Sequence, residues 1–248
     1  MAVTDHDTTA AVEEVRGHAA AHGIQAISGI EITAVEDGHD VHVLGYFLEP
    51  SDPALNGFLA EQRERRVARI HEIAARLAAL GMPVDLEAVF AEARKRTGRS
   101  IGRPVIAQAM IAAGHVADVR EAFDKWLGRG LPAFVPRVGP TPEEVIRVVH
   151  LAGGLVSLAH PGRTRIDSRI AALRDAALDA IEIYHSDHDA AAVERYRTMA
   201  ADLGLLATGG SDFHGYPGHS IEPATATLPH DDWLRLDVAG RNAATAFR

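Results

Sequence analysis

The stretch AIEIYHSDH, residues Ala180 to His188, decides the fold. Its apolar run ends at once in histidines, which predicts a buried strand with a polar loop at its carboxyl end. The same arrangement lies on both sides of it, in LVSLAH (Leu155 to His160) and LLATGGSD (Leu205 to Asp212). Helical patterns separate the three runs, at Ile166 to Ala177 and Asp189 to Leu203. This alternation predicts an α/β fold with a parallel sheet or barrel and its functional site at the carboxyl ends of the strands.

The first part of the chain extends this scaffold. Met1 to Thr4 reads as the end of a buried strand, and Thr9 to His22 as a helix. Two further strands are predicted at Ile24 to Ile32 and His39 to Leu48. The cluster Asp5-His6-Asp7 therefore occupies a strand-to-helix turn, a common place for catalytic groups in α/β enzymes.

Residues 53–139 differ in character because they contain helical patterns and no strong strand signal. We predict a helical cap inserted into an α/β scaffold formed by residues 1–52 and 140–248. The predicted cap helices are Leu55 to Leu80, Leu86 to Lys95, Pro104 to Ala113 and Val119 to Leu127. The scaffold resumes with a helix at Pro142 to Ala152, preceded by Thr141 as its N-cap.

Composition narrows the class of protein. The chain has 248 residues, a net charge of −9 and no cysteine, so disulfides and thiolate metal sites are excluded. Fourteen histidines and thirty-four acidic residues supply other metal ligands. No apolar run approaches the roughly 20 residues of a membrane span, and the N-terminus does not resemble a signal peptide. We expect a cytoplasmic protein that binds neither membranes nor duplex DNA.

Potential metal ligands follow one predicted strand after another. Any one of them has an ordinary structural reading as a helix cap, an ion-pair partner or a half-buried histidine. Their placement on successive strand ends instead favours one His/Asp/Glu metal cluster, of a composition that suits zinc, manganese or iron. His42, which alternates with Val41 and Val43, is either a packed strand histidine or a residue that supports the metal ligands from behind, and we favour packing. The strand-end groups are Asp5-His6-Asp7, Glu31, His160, His185 with His188, and Asp212 with His214.

Seven motifs in order resemble the PHP (polymerase and histidinol phosphatase) superfamily. The resemblance is strongest to the branch of 3',5'-nucleoside bisphosphate phosphatases and 5'-to-3' exoribonucleases that act on short RNA, and it extends from Ala2 to about Pro229. The motifs are TDHD (Thr4 to Asp7), GIE (Gly29 to Glu31), VHVLGYFLEP (Val41 to Pro50), GRP (Gly102 to Pro104), EAFDKWLGRGLPAFVPR (Glu121 to Arg137), AHPGR (Ala159 to Arg163) and GSDFHG (Gly210 to Gly215).

The resemblance implies a distorted (β/α)₇ barrel that holds up to three divalent metal ions, Mn²⁺ foremost and Zn²⁺, Fe²⁺ or Mg²⁺ as alternatives. It implies a small nucleotide or short single-stranded RNA as substrate, attacked by metal-activated water. The implied metal ligands are His6, Glu31, His160, Asp212 and His214. The implied catalytic residues are Asp212, His214 and His188. His188 and the cationic residues Arg99, Arg103, Lys125, Arg129, Arg137 and Arg163 are the implied substrate-binding candidates.

The chain departs from the family pattern at two places. Members of the family begin with a strand that ends in an H-x-H motif, and no such unit precedes TDHD here. Val105 follows GRP where relatives commonly carry histidine. We therefore expect a barrel without its first strand, fewer than three bound metals and weak or absent activity. A translation start further upstream is the interpretation we favour over a degenerate relative.

The sequence as a whole predicts a metal-dependent phosphoesterase acting on nucleoside 3',5'-bisphosphates and short 5'-phosphorylated RNA. One alternative is a phosphatase similar to histidinol phosphatase. Another is a catalytically impaired phosphate-binding protein with the PHP fold.

Overall fold

A computed structural model describes residues 1–94, 102–214 and 222–246. A five-stranded sheet with the order β1-β2-β3-β4-β5 lies at its centre. The strands are β1 (Gly29–Glu36), β2 (His39–Tyr46), β3 (Leu155–Leu158), β4 (Ala180–His185) and β5 (Leu206–Gly210). The expected α/β class is confirmed, and β4 has the predicted bounds.

The sheet is mixed, and only its second half has the parallel arrangement that the alternation of strands and helices predicts. β1 and β2 form an antiparallel hairpin, β2 pairs antiparallel with β3, and β3, β4 and β5 run parallel. Asp37 and Gly38 connect the hairpin, with φ of 48° and 72°. An Asp-Gly pair with two positive φ values is the preferred two-residue connection between antiparallel strands. The turn therefore dictates the direction of β2.

The predicted opening strand at Met1 to Thr4 is not formed, and the segment instead runs alongside β1. A single parallel bridge joins His6 to Glu31. The backbone N–H of Asp7 donates to the Glu31 carbonyl at 2.8 Å, and that of Glu31 to the Asp5 carbonyl at 3.1 Å. These two bonds fix the Asp-His-Asp cluster directly beside the first residues of β1.

Ten α-helices and one π-helical turn occur in the described residues. Side-chain caps define several helix starts, including Asp52, which accepts from the Leu55 N–H, and Thr141, which forms a capping box with Glu144. None of the helices in these ranges is long and apolar enough to span a membrane. The helices are α1 (Val12–Ala21), α2 (Pro53–Ala79), α3 (Leu86–Arg94), α4 (Arg103–Ala112), α5 (Val119–Ala122), the π turn Phe123–Leu127, α6 (Pro142–Leu151), α7 (Pro161–Thr164), α8 (Asp167–Asp175), α9 (Ala190–Leu203) and α10 (His230–Ala246).

Two large hydrophobic clusters lie in the described residues, and the division into scaffold and cap stays a proposal. The larger one joins the apolar face of the sheet, including Ile30, Ile32 and Val43, to α6, α8 and α9. The second lies wholly within residues 70–135 and packs α2 against α4 and the π turn. The larger cluster also includes Leu55 and Leu59 at the start of α2, so this helix packs on the scaffold with its first turns and on the second cluster with its later ones.

Helix α10, which the sequence reasoning did not predict, packs against the end of the hairpin. The ring of Phe47 stacks on Trp233, with centroids 6.4 Å apart. Phe47 also lies so close to Gly240 that a Cβ there would overlap the ring. Gly240 therefore permits the close approach of α10.

Candidate metal centre

The strand pleat separates apolar from polar residues along the β1–β2 hairpin. Ile30 and Ile32 face the hydrophobic cluster, whereas Glu31 and Thr33 point to the opposite face because side chains alternate along a strand. His42 pairs directly with Thr33 across the hairpin and therefore shares the polar face. This face carries the candidate metal ligands.

Glu31 is the centre of the polar cluster and is only 4% exposed. Its Oε1 atom lies 2.6 Å from Nδ1 of His42 and 3.4 Å from Nε2 of His160, and its Oε2 lies 3.6 Å from Nδ1 of His6. Burial by itself raises the pKa of this carboxyl. The hydrogen bonds to His160 and His42 outweigh burial, so the pKa of Glu31 is well below its usual value. Glu31 is therefore an ionised acceptor for imidazoles or for a cation.

Six imidazole rings follow one another in an arc of ring contacts, and three of them contact this carboxylate. Neighbouring ring centroids along the arc are 5.0 to 5.8 Å apart. Among the described residues, donor atoms of His6, Glu31 and His42 all lie within 4.8 Å of one another, a spacing at which one ion could bind all three. The order along the arc is His214, His6, His42, His160, His185 and His188.

His42 is the metal-site candidate that the sequence reasoning missed. Its interpretation as a packed strand histidine was wrong, because its ring contacts the Glu31 carboxylate and lies 3.2 Å from Nε2 of His160. The signal was present in the sequence. An antiparallel hairpin with a two-residue turn brings His42 and Glu31 to the same face of the sheet. The sequence analysis did not predict the relative direction of these two strands.

The Asp-His-Asp cluster is held in place by Asp7. This residue has a left-handed φ of 55° and is only 2% exposed. Its carboxylate accepts from the Thr33 N–H at 3.0 Å and pairs with Arg66 of α2. Burial lowers the pKa of the adjacent His6, and Glu31 offsets only part of that effect. A neutral imidazole at His6 is the form that can bind a metal.

His160 follows β3 with an unusual backbone conformation, φ 27° and ψ 60°. Its N–H donates to Oε2 of Glu182 at 2.8 Å, so a buried carboxylate supports the strained position. Burial raises the pKa of Glu182 to about 7. We had overlooked Glu182, although an acid between Ile181 and Ile183 in an otherwise apolar strand is a recognisable signal.

Asp212 and His214 follow β5, and Asp212 has a φ of 52°. The Asp212 carboxylate lies 3.1 Å from Nη1 of Arg163, 3.7 Å from Nε2 of His185 and 3.5 Å from Nδ1 of His214. Burial opposes ionisation of Asp212, but the facing His185 outweighs it, and the pKa of Asp212 is lowered. The structure thus brings all five predicted ligands to one side of the sheet. His42 and His185, which were not predicted as ligands, lie between them.

The hydrogen bonds of His188 argue against the predicted role in catalysis and substrate binding. Its Nδ1 donates to the Ile183 carbonyl at 2.8 Å, and its Nε2 accepts from the Gly162 N–H at 3.3 Å. Both ring nitrogens are therefore occupied by backbone groups, which leaves neither for a substrate. His188 ties the loop after His160 to strand β4.

The predicted substrate-binding cations occupy different surroundings. Arg103 lies over the rings of Phe123 and Phe134, at 5.6 Å from each, which indicates a packing role within the cap. Lys125 is exposed and pairs with Glu121 of its own segment. Arg129 contacts His39, and Arg137 pairs with Asp40. Arg99 lies outside the described residues.

Comparison with known proteins places this centre in a family. No protein-family model matches the chain. The chain is 34% identical over 247 residues to the 5'-3' exoribonuclease Rnm of Salmonella typhimurium, with 97% of this chain and 81% of that protein aligned. It is 31% identical over 223 residues to a 3',5'-nucleoside bisphosphate phosphatase of Chromobacterium violaceum, over 88% and 77% of the two chains.

A solved structure agrees with these relatives. The chain superposes on a protein described as a metal-dependent phosphoesterase of Bifidobacterium adolescentis with a TM-score of 0.82 and 32% identity, over 95% of this chain and 84% of that one. Both sequence and fold are thus shared with enzymes that hydrolyse phosphoric esters. The chain belongs to the PHP-type family of metal-dependent phosphoesterases and is a hydrolase.

Proposed function

We propose that the chain hydrolyses nucleotide phosphate esters, nucleoside 3',5'-bisphosphates first and short 5'-phosphorylated RNA second. The observation that carries this proposal is the convergence of His6, Glu31, His42 and His160 on one carboxylate-centred group. The names of the bisphosphatase and exoribonuclease relatives support the substrate class. The net charge of −9 favours small substrates over duplex nucleic acid.

The donor set suits a divalent metal. Three buried ring nitrogens, Nδ1 of His6, Nδ1 of His160 and Nε2 of His185, have no hydrogen-bond partner among the described residues. Buried polar atoms of this kind call for a ligand. Imidazole and carboxylate donors suit manganese, zinc and iron, and we propose Mn²⁺ foremost. The proposed ligands are His6, Glu31, His42, His160, Asp212 and His214.

Bound divalent ions would supply an acidic water and positive charge near the phosphorus atom. Side chains of this protein would contact the phosphoryl group and orient the metal ligands. Asp212 and His214 flank the centre, and Arg163 contacts Asp212 with a side chain that is 55% exposed, so its guanidinium can reach a phosphoryl oxygen. Glu182 fixes the His160 backbone and thereby the direction of that ring.

The predicted substrate-binding cations have different roles in this proposal, according to their distance from the centre. Arg163 contacts the reacting phosphate, and Arg129 and Arg137 contact more distant parts of the substrate. Arg103 and Lys125 stay within the cap, where they stabilise its packing and surface. Helix α2 of the proposed cap, residues 53–139, contacts the segment beside the centre, because its Arg66 pairs with Asp7.

A substrate panel tests this proposal. Metal-free protein and protein loaded with Mn²⁺ are assayed with adenosine 3',5'-bisphosphate, a 5'-phosphorylated ribo-oligonucleotide and histidinol phosphate. We expect weak turnover of the first two substrates, and only after metal loading, in keeping with the weak activity that the sequence indicates. Preference for histidinol phosphate, or inertness of the loaded protein on all three, would contradict the proposal. Cleavage of the oligonucleotide alone would favour diester hydrolysis as the main activity, as the exoribonuclease relative suggests.

A further inference from the structure

The loop that connects β4 to α9 contacts the segments that follow two other strands. Ser186 donates its hydroxyl to the Ser211 carbonyl at 3.1 Å, which ties the loop to the segment after β5. Nε2 of His188 accepts from the Gly162 N–H at 3.3 Å, which ties the same loop to α7 after β3. Asp187 lies between these two anchors in the sequence. The loop is therefore held at both sides of Asp187.

The anchor at His188 is closely packed. Its Nδ1 donates to the Ile183 carbonyl at 2.8 Å, and its ring centroid lies 5.2 Å from that of the buried Tyr196. The ring also packs on the backbone of Gly162, where an added Cβ would lie 2.8 Å from Nε2 of His188. Only glycine permits this approach. Contacts with β4, α7 and α9 thus fix the position of the loop.

Arg163 of α7 lies between two carboxylates beside the candidate metal centre. Its Nη1 lies 3.1 Å from Oδ2 of Asp212, and its Nε lies 3.7 Å from Oδ2 of Asp187. The backbone N–H of Asp187 donates to Nδ1 of His185 at 3.0 Å, which fixes the point from which this carboxylate extends. Neither ion pair uses Nη2 of Arg163, so this nitrogen is available for a phosphoryl oxygen.

The two carboxylates differ in their other commitments. Asp212 is a proposed metal ligand, so its charge is shared between the metal centre and Arg163. The side chain of Asp187 is 48% exposed, and Arg163 is its one ion-pair partner among the described residues. An exposed ion pair of this length contributes little to stability. Its consequence is orientation, because Asp187 attracts the Nε side of the guanidinium while Nη1 faces Asp212.

We propose that Asp187 is a positioning residue that holds Arg163 in place for the reacting phosphoryl group. The inference rests on the proposed function, in which Arg163 contacts that group. A guanidinium that is oriented before the substrate binds stabilises the charge that develops on the phosphoryl oxygens without first having to reorganise. Asp187 acts through Arg163 and does not itself touch the substrate.

The sign of the effect separates positioning from simple electrostatics. Asp187 places a negative charge near an anionic substrate, so long-range repulsion alone would make the protein faster or tighter binding once that charge is removed. Positioning predicts the reverse. Because an oriented guanidinium matters most when charge develops in the transition state, its loss should lower kcat more than it raises KM.

Steady-state kinetics of the metal-loaded protein with adenosine 3',5'-bisphosphate test this role. Asp187→Ala and Asp187→Asn are compared with Glu194→Gln, a matched loss of negative charge on α9, where the exposed Glu194 pairs only with Arg197. We expect kcat to fall about tenfold in Asp187→Ala while KM changes less than about threefold. Asp187→Asn, which keeps an acceptor oxygen, should recover part of the loss, and Glu194→Gln should change kcat less than about twofold.

A double-mutant cycle shows whether Asp187 acts through Arg163. In an Arg163→Gln background, Asp187→Ala should change kcat less than about twofold, because the group that it positions is gone. Three results would overturn the inference. They are an equal loss in both backgrounds, an unchanged kcat in Asp187→Ala, and a higher kcat in that variant.

Chemical modification tests the contact in the metal-free protein without any turnover. Phenylglyoxal reacts more slowly with a guanidinium group that is paired with carboxylates, and mass spectrometry of peptides identifies the modified arginine. We expect Arg163 to react about threefold faster in Asp187→Ala than in wild type or Glu194→Gln, as for loss of one exposed ion pair. Equal rates in the three proteins would overturn the inference. Faster reaction in a variant of a protein that hydrolyses no substrate would support the contact and refute the proposed function.

Discussion

Nδ1 of His42 and Oε1 of Glu31 are 2.6 Å apart across the β1–β2 hairpin. The two residues come from adjacent strands whose register pairs Thr33 with His42 and Glu31 with Leu44. The contact is therefore diagonal and depends on the hairpin being in this register. Because His6 bridges to the same glutamate, one hairpin and one N-terminal segment supply a complete three-residue group for a cation.

His42→Ala tests the place of this histidine in the group. We expect the metal content after loading to fall by about one ion per chain and kcat/KM to fall at least about 100-fold, since a three-donor group loses one donor. Elemental analysis and phosphate release measure the two effects. His18→Ala, an exposed position on α1, serves as the control. An unchanged metal content in His42→Ala would refute the role of His42.

The raised pKa of Glu182 predicts that the protein loses stability as the pH rises. Its pKa is about 7 in the folded protein against an ordinary value of 4.5. Between these values the native state holds a proton that the unfolded state has lost, so the free energy of unfolding decreases as pH rises. The decrease is complete above pH 7 and amounts to about 3 kcal/mol, since one pKa unit corresponds to about 1.4 kcal/mol.

Glu182→Gln removes this titration while keeping an oxygen that can accept from the His160 N–H. We expect the metal-free variant to gain stability relative to wild type between pH 4.5 and pH 7.5, by about 3 kcal/mol. Urea unfolding of both proteins at the two pH values measures the difference, in which titrating groups that do not interact with residue 182 cancel. A difference that stays constant with pH would show that Glu182 is ionised in the folded state.

Arg103→Met separates packing from substrate binding. Because Arg103 lies over Phe123 and Phe134, the variant should lose about 1–2 kcal/mol of unfolding free energy. We expect KM for adenosine 3',5'-bisphosphate to change less than about twofold, about 0.4 kcal/mol. Thermal unfolding and steady-state kinetics provide the two readouts. A tenfold higher KM with unchanged stability would restore the substrate role implied by the family resemblance.

Gly240→Ala tests the close packing of α10 on the hairpin. The added Cβ overlaps the Phe47 ring, so we expect a loss of about 1–3 kcal/mol from overpacking. Gly17→Ala is a matched helical control, because no atom lies within 4 Å of its added Cβ. The control should be neutral or up to about 1 kcal/mol more stable. Equal stability of the two variants would mean that α10 does not dock on Phe47.

The parallel half of the sheet was predictable from local pattern. Strand β4 was predicted with its observed bounds, and the candidate ligands that follow β3 and β5 were predicted because each apolar run ends abruptly in polar residues. That pattern reports where a strand stops, which is a local property of the chain. It also identified Glu31, although this residue lies near the start of β1 rather than at its end.

The remaining features depend on which strands pair and in which direction. The periodicity of apolar residues along the sequence does not reveal either. The antiparallel direction of β2 follows from the Asp37-Gly38 turn, and only that direction brings His42 to Glu31. Glu182 was not predicted because the candidates were sought among polar residues at strand ends, and Glu182 lies within strand β4. The family resemblance implied a substrate role for His188, whereas both nitrogens of its ring contact backbone groups, at Ile183 and Gly162.

The most direct test of the account is a titration of the metal-free protein with Mn²⁺, followed by release of phosphate from adenosine 3',5'-bisphosphate. Wild type and Asp212→Ala are compared, since Asp212 is a partly buried ligand candidate whose removal takes little core volume. We predict that the wild-type rate rises with added metal, and that Asp212→Ala retains its fold by circular dichroism while its rate stays at least about 100-fold lower. A wild-type rate independent of metal, or equal rates in the two proteins, would contradict the proposed metal centre.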